Sequence, residues 1–246
     1  LMVLLAQAAM DWLSEVFRLG VEPLLEGETR AKRQIRRNNL LYVSLACIVV
    51  FALTAYILFV NKTLPTSAFY FLALSLFIIF VYSIPPFRLA NRGMGELLLA
   101  AHLAYVSPAI AFTLQAGETH RFLILSLPLT LLAFSCFIAL GFETFARDRA
   151  LDRVTFLTRL GWERAAALHP LLIVFAYLAF MLTSLFGVAF SVIWPVFLTL
   201  PFAVLEVVLL RNVSLGAKPN WKLLRASALT VFGLAVYFLM FTLWLR

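Results

Sequence analysis

Apolar runs of about twenty residues, separated by polar stretches, recur along nearly the whole chain. They predict spanning helices near 40–60, 65–84, 96–116, 121–146, 165–187, 190–210 and 222–245. At 1.5 Å per residue, about 20 apolar residues cross roughly 30 Å of hydrocarbon, which is the scale of these runs. A transmembrane barrel would instead show alternating segments about ten residues long, and none appear. The pattern predicts an all-α polytopic membrane protein forming a single transmembrane domain over 1–246. A partial run at 1–17 reaches Asp11 after ten residues, enough for about half the hydrocarbon thickness. We expect a further helix upstream of Leu1.

The connections differ in character. Residues 18–39 are polar and mixed in charge, with Pro23 and Gly27 as breakers, and predict a cap containing a short helix. The connections at 61–65, 116–121 and around Gly187 are brief. Residues 82–97 read YSIPPFRLANRGMGEL, an unusually polar link between two membrane-length runs. Pro85 and Pro86 end the preceding helix, and Gly93 and Gly95 loosen the backbone before the next begins. Arg88 and Arg92 flank that break, and the charge of Glu96 suits the first turn of the new helix.

Composition supports the membrane reading: 63% of the 246 residues are hydrophobic, 13% are charged, and the mean hydropathy is +0.98. The net charge of +8 does not point to nucleic acid, because its placement follows topology. Arg18, Arg30, Lys32, Arg33, Arg36, Arg37, Arg88, Arg92, Arg147, Arg149, Arg153, Arg159, Arg164, Arg211, Lys218, Lys222 and Arg225 fall on one side when connections alternate. Lys62, Arg121 and Arg246 fall on the other. This bias predicts that the longer, basic connections are cytoplasmic, and loop-borne function is expected on that face. The expected location is a bacterial cytoplasmic membrane. Cys47 and Cys136 fall inside spans and read as small buried apolar residues, with no disulfide or metal framework.

Two acidic clusters share the basic side. Asp11 and Glu15 are spaced i,i+4 and occupy one helix face. Glu143, Asp148 and Asp152 interleave with Arg147, Arg149 and Arg153. Carboxylates at helix ends are oxygen ligands for Mg²⁺ bridging to phosphate, and neighbouring arginines suit the remaining phosphate oxygens. The same residues also make an ordinary solvated helix end with i,i+4 pairing. His102 and His169 read as satisfied structural histidines near helix ends. Glu206, close to Arg211, is expected to reach the interface along its stem. The alternative for Glu206 is a buried functional role.

YSIPPFRLANRGMGEL resembles the loop between the fourth and fifth helices of the UbiA-type intramembrane prenyltransferase superfamily. RDRALDRVTFLTRLGWERA, residues 147–165, resembles that family's second aspartate-rich motif and the tail that follows it. The resemblance covers nearly the whole chain and implies a nine-helix fold, of which this chain carries the second to ninth helices. It also implies transfer of a polyprenyl group from its diphosphate to an aromatic or lipophilic acceptor, with Mg²⁺ on the diphosphate. Asp11 and Asp148 are then the catalytic candidates, and Asp11, Glu15, Glu143, Asp148 and Asp152 the metal ligands. Arg30, Tyr82, Arg88, Arg92, Arg149 and Arg153 are the substrate-binding candidates. The RGMGEL form looks most like the naphthoate branch of quinone biosynthesis.

The chain also departs from the family pattern. The first motif, N-D-x-x-D-x-x-x-D, falls on QAAMDWLSE, placing Gln7, Ala8, Asp11 and Glu15 at its acidic and amide positions. In the second, Thr144 stands at the leading aspartate position, with Glu143 beside it and Asp148 at the second. Glu22 occupies a site before Pro23 where the family tends to place a basic residue. These changes carry the alternative reading, a catalytically impaired homologue acting as a lipid-binding protein or as a subunit of a membrane complex. A transporter fits least, since no interrupted helix pair accompanies the proline-rich loop.

Overall fold

The apolar runs become helices, and helices are the only regular elements among the described residues. The computed structural model describes residues 1–24, 27–117 and 121–245. Half of the connection expected at 116–121, residues 118–120, lies outside these residues, as does Arg246. In chain order the helices are α1 Met2–Leu19, α2 Arg30–Val60, α3 Thr66–Ser83, α4 Gly95–Ala101, α5 Ser107–Ala116, α6 Ser126–Ala150, α7 Phe156–Leu160, α8 Trp162–Leu182, α9 Phe190–Ile193, α10 Leu200–Ser214 and α11 Trp221–Trp244. With short 3₁₀ and π turns joining some of them, seven stretches among the described residues are long and apolar enough to cross a membrane. They run Arg30–Val60, Thr66–Ser83, Gly95–Ala116, Leu123–Ala150, Trp162–Phe186, Phe190–Ser214 and Trp221–Trp244, and correspond to the seven predicted runs.

One boundary differs from expectation. The helix expected to start near residue 40 starts at Arg30, so the polar stretch is not a cap with its own short helix. The side chain of Thr29 accepts a hydrogen bond from the Lys32 amide and supplies the N-cap. Ala31, Lys32, Arg33, Gln34, Arg36 and Arg37 are all good helix formers, so nothing interrupts the turn before Leu40.

Two compact units emerge, Leu1–Leu98 with Val106–His120, and Leu99–Tyr105 with Arg121–Arg246. In the first, α1 packs on α2 and α3. It buries Met2, Ala6, Ala9, Met10, Leu13, Val16 and Leu19, which recur at helical spacing. Gln7, Asp11, Glu15 and Arg18 are left on its other face. By contrast α2 buries only Ser44 and Phe51 along its length, the surface expected of a helix facing lipid. Cys47 is therefore only partly buried, contrary to expectation. The Ser83 hydroxyl, at the end of α3, donates to the buried Met10 carbonyl at 3.0 Å and ties the start of the proline-rich loop to α1. Between α4 and α5 the helix widens into a π-turn over His102–Val106. Pro108 explains it, because a proline lacks the amide that would close a regular turn on Ala104.

The second unit packs α6 against α8 and α11, and α10 against α8 and α11. Lipid tails are as apolar as the side chains, so association depends on close packing, which small residues permit. Ala139, Ala165, Ala176, Ala203, Ala228 and Ala235 are buried accordingly. Cys136, Ala139 and Ala228 form one such contact, flanked by Leu140 and Phe232. Polar bonds lock particular pairs of elements. Tyr177 of α8 and Thr199, just before α10, share a hydrogen bond of 2.5 Å. His169 Nε2 and Glu206 Oε1 lie 2.7 Å apart, with side chains 0% and 1% exposed. Glu206 thus takes the buried alternative rather than reaching the interface, and His169 is its partner.

Removing one member of a buried ionisable pair strands the other, at a cost of about 3–5 kcal/mol. Glu206→Ala is expected to lower the detergent-solubilised protein's thermal midpoint strongly, and Glu206→Gln, which keeps a hydrogen-bonding group, substantially less. Equal effects from the two variants in a melting experiment would show that the pair contributes shape alone.

Candidate active site

In the first unit the candidate residues come from α1 and the 84–94 loop. Asp11 accepts hydrogen bonds from the Gln7 amide at 3.3 and 3.4 Å and has no ion-pair partner among the described residues. Its side chain opens to the exterior, yet protein around the opening strips part of its hydration. That desolvation raises Asp11 above the ordinary carboxylate range, while the Gln7 bond pulls the other way. Glu15 is already neutralised, paired with Arg18 one turn on and with Arg36 of α2 at 3.2 Å. Arg33 bonds Glu28 and the carbonyls of Glu22 and Pro23, so it braces the connection before α2. Arg30 is exposed at the start of α2 and has no side-chain partner among the described residues. Tyr82 lies where it feels the charges of Asp11, Glu96 and Arg18.

The loop itself is tightly built. A Cβ on Gly95 would meet the Ala90 Cα at 3.0 Å and its carbonyl oxygen at 3.1 Å, so the second glycine of RGMGEL is required by a close backbone approach. Arg88 adopts a left-handed conformation at φ 40°, ψ 53°, which is costly for a residue with a Cβ. Its guanidinium Nε and Nη2 are buried without a hydrogen-bond partner. Burial pushes the guanidinium below the usual arginine range, with Glu22 opposing and Arg18 adding to the effect. Arg92 behaves differently. It is exposed and donates to the Pro86 carbonyl at 2.7 Å, bracing the loop from outside.

In the second unit the acidic residues sit at the end of α6 and in the turn beyond it. Asp148 is 6% exposed. Thr144, one turn earlier, donates its hydroxyl to one carboxylate oxygen at 2.6 Å, and Arg153 donates to the other at 3.0 Å. The Arg153 amide closes the turn on the Asp148 carbonyl at 2.8 Å, and Thr158 donates to the Arg153 carbonyl at 2.8 Å. A capping box between Thr155 and Thr158 then starts α7. Glu143 is paired with Arg225 of α11. Asp152 is exposed, with a left-handed backbone at φ 50°. Arg149 is exposed and lines a recess of about 470 Å³ with Arg159 and Arg164. Among the described residues, no three His, Cys, Asp or Glu side chains gather closely enough to hold a metal ion by themselves.

The profile of the UbiA prenyltransferase family matches residues 28–229. The chain belongs to the UbiA prenyltransferase family. Neither a curated protein nor a solved structure gives a significant match. The matched span takes in the 82–97 loop and the 147–165 segment, while Gln7, Ala8, Asp11 and Glu15 lie outside it. Membership makes this a membrane prenyltransferase-type chain, and family members are generally Mg²⁺-dependent.

The donor sets fit Mg²⁺ unequally. Mg²⁺ needs one or two carboxylates and takes its remaining ligands from phosphate and water. Asp11 meets that description: it has lost hydration and has no cation of its own. Asp148 and Glu143 do not fit as they stand, because a guanidinium already neutralises each. The interactions of Asp148 could not be read from spacing alone, since its partners stand one turn before it and one turn beyond the helix end.

Asp148 anchors a carboxylate–guanidinium clamp, and its loss strands Arg153. Asp148→Ala is expected to destabilise the protein by about 3 kcal/mol, equally in Mg²⁺ and in EDTA. Thermal unfolding in the two buffers checks this. A loss of stability confined to the Mg²⁺ buffer would instead make Asp148 a metal ligand.

Proposed function

We propose that this chain transfers a polyprenyl group from its diphosphate to an aromatic acceptor, 1,4-dihydroxy-2-naphthoate, in quinone biosynthesis. The observation that carries the reading is Arg88, a half-buried side chain whose Nε and Nη2 are buried and unpartnered, held in a costly backbone conformation by a tightly packed loop. An unsatisfied buried cation is an anion site in waiting, and a diphosphate is the anion that the family's substrates supply. The acceptor assignment rests on the RGMGEL form of the loop.

In the reaction the allylic C–O bond breaks, its electron pair leaves with the diphosphate, and a C–C bond forms to an electron-rich ring carbon. That carbon then regains aromaticity by losing the group it carried, a proton or, at the carboxylate-bearing carbon of the naphthoate, carbon dioxide. Arg88 binds the diphosphate and stabilises the charge gathering on the departing oxygen, and its geometry is set before substrate arrives. Asp11 would hold Mg²⁺, which when bound supplies further neutralisation of that charge. Arg30 and Tyr82 are assigned to substrate contact, and Arg92 and Arg153 act by bracing their loops. The alternative is an impaired homologue that binds lipid or serves in a membrane complex. Ala8 and Thr144, together with arginine pairing of Glu15, Glu143 and Asp148, favour it.

Diphosphate release from a polyprenyl diphosphate, measured with the naphthoate and with a panel of other acceptors, separates the readings. Arg88→Ala is expected to lower kcat/KM by roughly 100-fold, the scale seen when one preorganised donor to a developing anion is removed. Release with none of the acceptors by the full chain would leave the impaired reading standing.

The proposed orientation places the 18–29, 84–94 and 151–161 connections in the cytoplasm of a bacterial cell, following the distribution of basic residues. In otherwise cysteine-free protein in intact cells, Lys62→Cys is expected to react with an impermeant thiol reagent from outside, and Arg153→Cys is not. Reaction of both from the same side would overturn the orientation.

A further inference from the structure

A groove of about 450 Å³ runs between α8 and α10; no candidate active-site residue lines it, although it shares Trp162 and Glu163 with the recess that Arg149 lines. One wall is the α8 face carrying Glu163, Ala166, Ala167 and Pro170, and the other is the α10 face carrying Val207, Leu210, Arg211 and Ser214. Each set has the spacing i, i+3, i+4, i+7, so each is one continuous helix face. The floor is apolar and shallow because Ala166 and Ala167 are small. The volume lies within the usual range of small-molecule sites.

The two walls carry opposite charge at the same end. Glu163 and Arg211 both line the groove, yet neither has a side-chain hydrogen bond or ion-pair partner among the described residues. Two unpaired opposite charges facing a common space fit a ligand bearing both signs. Pro170 sharpens the negative wall. Having no amide, it leaves the Ala166 carbonyl without its regular helical donor, and Ala166 faces the groove. Trp162 fixes the level of this end: its ring meets Phe142, Phe145 and Trp221 edge-on, with centroids 4.6, 5.7 and 6.1 Å away. Tryptophan favours the boundary between headgroups and acyl chains. Beyond it, the groove continues over Ala166, Ala167, Pro170, Val207 and Leu210.

We propose that this groove binds an aminophospholipid of the phosphatidylethanolamine type. Arg211 takes the phosphate, Glu163 and the Ala166 carbonyl take the ammonium, and one acyl chain lies over Ala166, Pro170 and Val207. The ammonium matters because its N–H groups donate to the carboxylate, which a choline headgroup cannot do. Arg159 and Arg164 line an adjoining recess that shares Trp162 and Glu163 with the groove, but neither makes an ion pair with Glu163, which leaves its charge open to a ligand. Ser214 spends its hydrogen on the Leu210 carbonyl at 3.1 Å and contributes only an acceptor.

The test uses the full chain in mild detergent, stripped of lipid and then offered phosphatidylethanolamine, phosphatidylcholine or phosphatidylglycerol with matched chains. Bound lipid is counted by native mass spectrometry. A charge-assisted hydrogen bond corresponds to a preference of roughly tenfold, so phosphatidylethanolamine is expected to be retained about that much better than either competitor. Glu163→Gln is expected to level phosphatidylethanolamine with phosphatidylcholine, and Arg211→Ala to weaken retention of all three. Ala166→Leu, which fills the groove and leaves both charges in place, is expected to abolish retention and covers the case in which a charge variant fails to fold. Retention of phosphatidylglycerol equal to or above phosphatidylethanolamine overturns the proposal, and so does retention that none of the variants alters.

Discussion

Hydrocarbon offers no water to a charged group, so any carboxylate carried into or beside the membrane must find its counter-charge within the protein. That constraint organises the polar residues of this chain. Glu206 meets it with His169 between two helices, Glu143 with Arg225, Glu15 with Arg18 and Arg36, and Asp148 with Thr144 and Arg153. Apolar packing alone would let neighbouring helices slide, because lipid solvates them as well as they solvate each other. Fixed polar pairs, with the small residues that permit close approach, give each unit its register.

The same constraint makes exceptions informative. Asp11 lacks a cation, and Arg88 has two buried nitrogens without an acceptor, both within the first unit. Where Glu15, Glu143, Asp148 and Glu206 each have a partner, Asp11 and Arg88 stand partly desolvated without an opposite charge. Arg88 is further marked by its left-handed backbone, which costs free energy that the loop supplies through the Ala90–Gly95 approach and the Arg92–Pro86 bond. Arg88 and Arg92 look equivalent in sequence, four residues apart with the same side chain. Only the folded loop separates the one with unpartnered buried nitrogens from the one that braces the turn.

The helices were legible because an apolar run twenty residues long has few alternatives in a membrane, and seven of them matched. The start of α2 was less so: the polar stretch after Pro23 looks like loop by hydropathy, whereas Thr29 and the run of helix formers after it make a helix by capping and propensity. Glu206 misled for a related reason. A long acidic side chain near an interfacial arginine has room to reach water, and nothing in spacing shows that a histidine 37 positions earlier stands 2.7 Å away. The candidate site was legible as motifs and not as partnerships. Which carboxylates remain unpaired depends on arginines brought in from other helices, such as Arg36 and Arg225.

The replacement at position 144 now has a physical logic. An aspartate there would stand one helical turn from Asp148, where Thr144 Oγ1 lies 2.6 Å from a carboxylate oxygen. Two carboxylates at that separation repel strongly unless a cation or a proton lies between them. Threonine removes one negative charge and replaces repulsion with a donated hydrogen bond, and Arg153 neutralises what remains. The segment thereby becomes self-sufficient, its charge balanced by the chain rather than by a bound ion. At the first motif the change to Ala8 removes a carboxylate but supplies no donor and no cation, so Asp11 keeps an unbalanced charge. Both positions carry less acid than the family motif, yet only Thr144 supplies a hydrogen bond to the carboxylate beside it, and Asp11 is left with the Gln7 amide alone.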